Sequence, residues 1–341
     1  MYNVGIIGLG QIAYHIDKDP NRKIIWSHIK AYQYINNTNI TAICDINSQI
    51  VDEIGEECHI KLRYTDYEKM LKENKFDIVS ICTPIQTHYE IVKKCVEAGV
   101  KAIFCEKTLS YSLKEAEEIE KLCRENNVIL GVNYILRWDN LNIEIKKLIE
   151  DNAIGKIYTM VGYGATALHT STSHLIDLMV YFSNSDPQYV IGEKQEDFIR
   201  VAHGVKDCGG IGLIKFKSGV MAFIKGVSSS PFKYMLELDI LGENGRIKLY
   251  NNGLTYDLYQ YSKEINTAGS NYESLKLIKT VNKENENQRM VEAILDLINC
   301  LENGGKPLAN GESSLNSIKI IEGLKLSSDI GNVVFFYIDY K

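Results

Sequence analysis

Short apolar runs alternate with charged, helix-periodic stretches through the first third of the chain. The runs at 3–8, 40–44, 77–82, 101–105 and 128–132 are rich in Ile and Val, the composition of strands covered on both faces. Between them, 47–57, 66–74, 87–98 and 112–126 space apolar residues three and four apart. In the last of these, LKEAEEIEKLCREN sets charges between the apolar positions, the mark of a surface helix packed along one side. Strand then helix, repeated, predicts an α/β fold with a parallel, doubly wound sheet whose ligands bind beyond the carboxyl ends of the strands.

From about residue 133 the pattern changes. Helices are expected near 139–150 and 174–183, with a strand at 157–161. Residues 209–227 alternate apolar and cationic positions on either side of Ser218-Gly219 and read as a hairpin. Strands at 234–240, 246–250 and 254–259 follow, and helices near 286–303 and 312–328 close the chain. The Asn-rich stretches near 263–287 read as loops or insertions. Two domains are therefore expected: 1–132 with the parallel sheet, and 133–341, an α+β domain with a large, mostly antiparallel sheet.

The first strand runs into the most informative segment, VGIIGLGQIA at 4–13. Gly8, Gly10 and Ala13 complete G-x-G-x-x-A around Leu9, Gln11 and Ile12, a form of the Rossmann dinucleotide-binding fingerprint. A helix starting at Gln11 would aim free N–H groups and its positive dipole end at a pyrophosphate. The second strand ends at Asp45, where a carboxylate would accept from the adenosine ribose hydroxyls and repel a 2′-phosphate. No Arg or Lys follows in residues 46–49, which favours NAD over NADP. Alternatively Asp45 only starts a turn or caps a helix. The acid usually lies about 20 residues beyond the glycines; here the gap is longer, and Tyr14 to Ser27, with its polar DKDPNRK, reads as a loop inserted in the first βα unit.

Composition narrows the class. With 341 residues the chain can build two domains. A net charge of −6 and the lack of a basic block exclude nucleic acid or an anionic membrane as the main partner. No apolar run reaches the length of a membrane span, and the first residues lack a signal-peptide pattern. The eight cysteines form no C-x-x-C pair; Cys44, Cys82 and Cys105 sit at strand ends and read as buried thiols of a reduced, cytoplasmic protein without a structural metal.

Three further strand ends carry distinctive residues. Cys82-Thr83-Pro84-Ile85-Gln86-Thr87-His88 follows the third strand, Cys105-Glu106-Lys107-Thr108 the fourth, and Gly131-Val132-Asn133-Tyr134 the fifth. The hydroxyl-rich His169-Thr170-Ser171-Thr172-Ser173-His174 leads into an apolar helix that contains Asp177. G-x-G-x-x-A, then CTP-x-x-x-H, CEK and H-x-x-D in this order resemble the glucose–fructose oxidoreductase/inositol dehydrogenase (Gfo/Idh/MocA) family. The likeness extends to ILGENGRIKLY and to GESSLNSIKIIEGLKLS near the end.

The resemblance implies an NAD(P)-dependent oxidoreductase moving hydride between nicotinamide and a carbinol carbon of a sugar, sugar acid, polyol or sugar nucleotide. It implies homodimers or homotetramers formed through the open face of the second-domain sheet. By position it makes Lys107 the active-site lysine and His174 the proton acceptor, a task an ordinary imidazole suits. It puts Glu106 beside the cofactor, Thr83 and Pro84 in the nicotinamide pocket and His88 at its rim, with Asp177 orienting a ring nitrogen or binding substrate. Asn133 and Thr170 join the candidate substrate contacts. Arg137 and Trp138 either bind a substrate carboxylate or phosphate through the guanidinium fork or form a packed linker with a solvated arginine. His169 is either structural or at the substrate's edge.

Two positions depart from the family pattern. Thr108 stands where many members have proline, which removes a fixed φ and a cis preference. Thr170 stands where many dehydrogenases have Asp, and a neutral hydroxyl cannot raise the histidine's basicity as a carboxylate would. Thr170 leaves room for the first of two alternatives on the same fold. The first is an NAD-assisted sugar lyase or hydrolase with transient oxidation; the other is a non-catalytic dinucleotide-binding regulator.

Overall fold

Six strands form the parallel sheet of the first unit: β1 (Tyr2–Ile7), β2 (Thr38–Cys44), β3 (Leu62–Tyr64), β4 (Ile78–Ile81), β5 (Ala102–Cys105) and β6 (Ile129–Val132). Their order is β3-β2-β1-β4-β5-β6, and every pairing is parallel. The direction of the crossover reverses between β1 and β4, and in sheets of this kind the ligand crevice opens there. β4 and β5 are buried at every position, which explains their unbroken apolar sequences. The computed structural model describes residues 1–202, 204–226, 234–264, 272–283 and 287–336. The first unit comprises Met1–Asp139 and Glu286–Leu315; the second, Asn140–Asn285 and Asn316–Lys341. The chain thus changes unit at 139/140, against the boundary near 133 read from the sequence, and the helix Arg289–Asn303 belongs with the parallel sheet.

The helices Ser48–Glu57, Tyr67–Glu73, His88–Glu97 and Leu113–Glu125 lie within a residue or two of the expected spans. Three begin at side-chain caps, Asn47, Asp66 and Ser112, which satisfy backbone N–H groups of the first turn. The helix expected from Gln11 is the exception. Residues 11–14 make a turn, a 3-10 segment covers His15–Lys18, and the α-helix runs only from His28 to Tyr34.

The hydrogen bonds explain the interruption. Tyr14 N donates to Gly10 O as in a first helical turn, and then His28 N donates to Ile12 O and Ile29 N to Ala13 O, at 3.2 and 3.0 Å. Each of these bonds reaches sixteen positions back (28 to 12, 29 to 13), where an unbroken helix uses four. The segment 14–27 is therefore an excursion spliced into one helical ladder. It accounts for the long gap between the glycines and Asp45. Asp17 closes its base by accepting from Trp26 N and Ser27 N, both at 2.9 Å. Ser27 then caps the resumed helix.

The second unit is built on a nine-stranded sheet of β7 (Ile157–Gly164), β8 (Pro187–Ala202), β9 (Val205–Phe216), β10 (Met221–Gly226), β11 (Leu236–Gly242), β12 (Gly245–Tyr250), β13 (Thr255–Ser262), β14 (Ser274–Asn282) and β15 (Val334–Phe335). The order is β14-β13-β12-β11-β7-β10-β9-β8-β15, antiparallel throughout except for β7 against β10. The helix Thr172–Ser183 packs on its inner face. A Cβ at Gly162 would meet Met179 Cε at 2.5 Å, so that glycine sets how closely helix and sheet approach. The other face leaves Tyr163, Ile191, Ile211 and Leu241 exposed, with Val161 and Phe223 half-buried in register between them.

Four strands escaped the sequence reading, the short β3 and β15 and the longer β8 and β14. β8 spans 16 residues and carries many polar positions. β14 occupies 274–282, inside the stretch expected to be loop; 265–271 and 284–286 of that stretch lie outside the described residues, as do 227, the last residue of the expected hairpin, and 286, the first of the expected helix. Among the described residues no helix is long and apolar enough to cross a membrane.

Candidate active site

The parallel ladder of the first unit extends one residue past its strands and aligns the candidate residues along one edge. Gly8 N donates to Cys44 O, Asp45 N to Tyr64 O, Cys82 N to Ile7 O, Glu106 N to Ile81 O, and Asn133 N to Cys105 O. Gly8, Asp45, Cys82, Glu106 and Asn133 therefore stand side by side at the carboxyl ends of five neighbouring strands.

Gly8 has φ +88°, a region open to glycine at little cost. A Cβ there would lie 2.8 Å from Cys82 C and from Thr83 N, so the first turn and the Thr83 turn touch backbone to backbone. Gly10 is exposed, and a Cβ on it would meet nothing within 4 Å. Gln11 is exposed beside it, Ile12 is half-buried and Ala13 is buried. A glycine turn open on its outer side, before a helical turn, fits the diphosphate of a dinucleotide. Asp45 accepts from Leu9 N at 2.8 Å and from Asn47 N at 2.9 Å. It thus braces the glycine turn and starts the next turn as well. A carboxylate offers about four acceptor sites, so capacity remains for ribose hydroxyls.

Thr83 and Pro84 are half-buried. The Thr87 hydroxyl holds their turn, 2.7 Å from both Thr83 Oγ1 and Pro84 O. His88, expected at the cofactor rim, is fully buried, with Nε2 3.0 Å from Thr83 O and Nδ1 3.2 Å from Leu109 O. It therefore acts from beneath, tying the Thr83 turn to the segment after Lys107. Burial pulls its pKa below the ordinary imidazole value, against the two carbonyls, which favour the protonated ring.

Glu106 is the hub of the edge. One oxygen, Oε1, lies 3.0 Å from His28 Nε2 and 2.6 Å from Asn133 Nδ2. Burial pushes the carboxyl upward, but the hydrogen bonds from His28 and Asn133 and the Lys107 charge prevail and hold it below the usual carboxylate range. Lys107 is half-buried, and the Lys107–Thr108 peptide is cis although residue 108 is not proline. The threonine thus occupies a conformation the sequence reading had tied to proline. His28 was missed. Its spacing from the glycines is hidden by the excursion, and it joins the pattern only when 14–27 is treated as an insertion.

Arg137 and Trp138 turn out to be packed. Arg137 is buried and donates from Nη1 to Leu308 O at 2.7 Å. Trp138 is buried and donates from Nε1 to Asp296 at 3.0 Å, the same carboxylate that takes Leu308 N at 2.8 Å. The linker is packed as one of the two readings has it, but its arginine is buried and not solvated, and it braces the turn 135–138 against the 289–308 region.

In the second unit, His169 is buried with Nε2 3.0 Å from Glu322 Oε1. Burial raises the Glu322 pKa, and the contacts with His169 and Lys325 outweigh it and lower it overall. Thr170 Oγ1 donates to Asp207 Oδ2 at 2.9 Å, and His169 N donates to Asp207 Oδ1 at 3.1 Å. Position 170 lacks a carboxylate, but Asp207 brings one to it from β9. Asp207 is a buried acid on β9, next to Lys206; it is the one acid of that strand, and that was the available signal. His174 is half-buried in the first turn of Thr172–Ser183. Asp177 is buried with Oδ1 3.3 Å from Ser317 Oγ, a contact inside the unit. Among the described residues no three His, Cys, Asp or Glu side chains are grouped to hold a metal ion.

Acid should loosen this fold in two steps. His88 has a lowered folded pKa, so its neutral ring contributes stability that is full above the unfolded value of about 6.5 and is lost as pH falls through the folded one. Glu106 and Glu322 also have lowered folded values, and their contribution fades below the ordinary Glu range. The free energy of urea unfolding should fall as the pH drops below about 6.5 and again below about 4.3. His88→Gln should flatten the upper step alone; an unchanged upper slope would take His88 out of it.

Comparison with known proteins agrees with the geometry. A family model described as "Oxidoreductase family, NAD-binding Rossmann fold" matches residues 2–134, and one described as "Oxidoreductase family, C-terminal alpha/beta domain" matches 161–335. Myo-inositol 2-dehydrogenase of Thermotoga maritima is 22% identical over 91% of this chain and 91% of its own. The WlbA dehydrogenase of Bordetella pertussis, solved with NADH and UDP-GlcNAcA, has a TM-score of 0.76 at 19% identity, covering 99% of both chains. A super-repressor mutant of Gal80p from Saccharomyces cerevisiae has a TM-score of 0.79 at 17% identity over 98% of this chain and 97% of its own. With both domains matched in order along the chain, the protein belongs to the Gfo/Idh/MocA oxidoreductase family.

Proposed function

We propose that the chain is an NAD-dependent dehydrogenase of a sugar, sugar acid, polyol or sugar nucleotide. The observation that carries this reading is the edge formed by Gly8, Asp45, Cys82, Glu106 and Asn133, with Lys107 next to its half-buried acid. Gly8 to Ala13 would cradle the diphosphate, Asp45 would take the adenosine ribose, and Thr83, Pro84 and Glu106 would face the nicotinamide end. The coenzyme supplies a hydride acceptor or donor. Lys107 would hydrogen-bond the reacting oxygen and stabilise its negative charge as a proton leaves, and His174 would take that proton. Asn133, His169, Thr170 and Asp177 are the remaining candidates for holding substrate or aligning the groups that do. The Asp45 carboxylate would oppose a 2′-phosphate, which favours NAD over NADP.

Coenzyme-linked absorbance across a panel of such substrates, with NAD and with NADP, tests the reading. Turnover with NAD on at least one class is expected. Calorimetry showing no association with either coenzyme would overturn it. The likeness to the Gal80p super-repressor keeps a regulator in view, and coenzyme binding with no turnover on any class would favour it. NAD retained stoichiometrically through purification, with no net reduction, would favour a lyase or hydrolase instead.

We also propose a homodimer or homotetramer formed through the exposed face of the nine-stranded sheet, where Tyr163, Ile191, Ile211 and Leu241 lie open. Sedimentation equilibrium should give a multiple of the 38.7 kDa chain; a monomer would remove the idea.

A further inference from the structure

We propose that His28 is a positioning residue of the coenzyme site: a one-way chain of hydrogen bonds from Tyr32 through Ser80 aims its imidazole, which fixes the Glu106 carboxylate beside Lys107. The inference deepens the dehydrogenase reading and rests on it for what Lys107 does.

The direction of the chain follows from the chemistry of its end. His28 Nε2 lies 3.0 Å from Glu106 Oε1, and an ionised carboxylate only accepts. Nε2 must therefore carry a hydrogen. In the neutral ring Nδ1 is then an acceptor, and the Ser80 hydroxyl, 3.1 Å away, donates to it. Ser80 Oγ in turn accepts from the Tyr32 phenol at 2.8 Å. Tyr32 is buried and far from its ionisation range, since burial pushes its phenol up, so it remains a donor. Tyr32, Ser80 and His28 each pass one hydrogen forward and none is left short. The opposite tautomer would set a ring lone pair against the carboxylate.

The placement gives the relay its reach. His28 and Ser80 are fully buried, so the ring cannot turn away into water. His28 N is held by Ile12 O, inside the glycine fingerprint. His28 thus joins the glycine turn through its backbone, and β4 and the acid at the end of β5 through its ring. Asn133 completes it from β6 by donating to the same Glu106 oxygen.

The test needs no substrate. In the apo wild type with 15N-labelled histidine, long-range N–H correlation spectra at neutral pH should show His28 as the Nε2–H neutral tautomer. An Nδ1–H or averaged ring would overturn the relay. His28→Gln keeps a donor where Nε2 stands; His28→Leu removes it. NAD+ affinity by calorimetry should weaken roughly tenfold in His28→Leu and stay close to wild type in His28→Gln. The titration midpoint of 13C-dimethylated Lys107, assigned by its loss in Lys107→Arg, should move in the leucine variant and not in the glutamine one. Circular dichroism would confirm that both variants fold. Two variants that both match wild type, or that are equally impaired, would overturn the positioning role. If wild type binds no coenzyme, the dehydrogenase reading fails, and the tautomer and the Lys107 titration still decide His28.

Discussion

Lys107→Met should lower turnover about a thousandfold, the upper end of what one donor to a developing oxyanion contributes, while coenzyme binding persists. Methionine keeps much of the length and flexibility of the stem and deletes the ammonium. Lys107 is half-buried at the end of β5, outside the packed core, so the fold should tolerate the change. The loss should fall on kcat and on kcat/KM alike, because charge on the reacting oxygen exists in the transition state and hardly before it. Arginine should not restore activity: it keeps the charge but replaces a compact ammonium with a larger planar fork that places its donors elsewhere. The measurement is steady-state kinetics on whichever substrate class the panel identifies, with calorimetry for the coenzyme. Turnover that survives in Lys107→Met would take the residue out of the chemistry.

The sequence displayed those parts of the fold that depend on local rules. β1, β2, β4, β5 and β6 are buried strands and announce themselves as apolar runs. The glycine turn is legible because its backbone conformation constrains residue type. β14 was not legible: as an edge strand with no position fully buried, it has no covered face to impose a pattern. β3 is three residues long with Leu62 exposed, too short to carry one. At the site, Glu106 and Lys107 could be picked out, but not their support. His28 is displaced by an excursion whose splice shows only in the hydrogen bonds, and Asp207 meets Thr170 through β9, 37 residues away in the chain. Arg137 and Trp138 illustrate the converse. Both have the chemistry of ligand contacts, and the structure adds protein partners, Leu308 and Asp296, that bury them. Such partnerships are non-local, and nothing in the immediate sequence encodes them.

Alanine at Gly8 and alanine at Gly10 should fail in different ways, and the contrast tests the glycine turn more sharply than either change alone. At Gly8 the added Cβ would lie 2.8 Å from the backbone of Cys82 and Thr83, and φ is +88°. Neither neighbour is a flexible side-chain tip that could swing aside. Strain of about 1–3 kcal/mol for the backbone region alone adds to the cost of forcing the two turns apart, so Gly8→Ala should lower the melting temperature clearly. Because those turns carry the proposed diphosphate and nicotinamide contacts, NAD+ affinity should drop by about two orders of magnitude, near 2.7 kcal/mol. At Gly10 the new methyl meets nothing within 4 Å, and the melting temperature should stay near that of wild type. It projects into the open side of the turn, where a close-approaching diphosphate would need the room, so binding should still weaken substantially. Thermal melts and calorimetry on both variants decide the matter. Gly10→Ala with full NAD+ affinity would show that no ligand approaches the turn from its open side, and the coenzyme reading would fail with it.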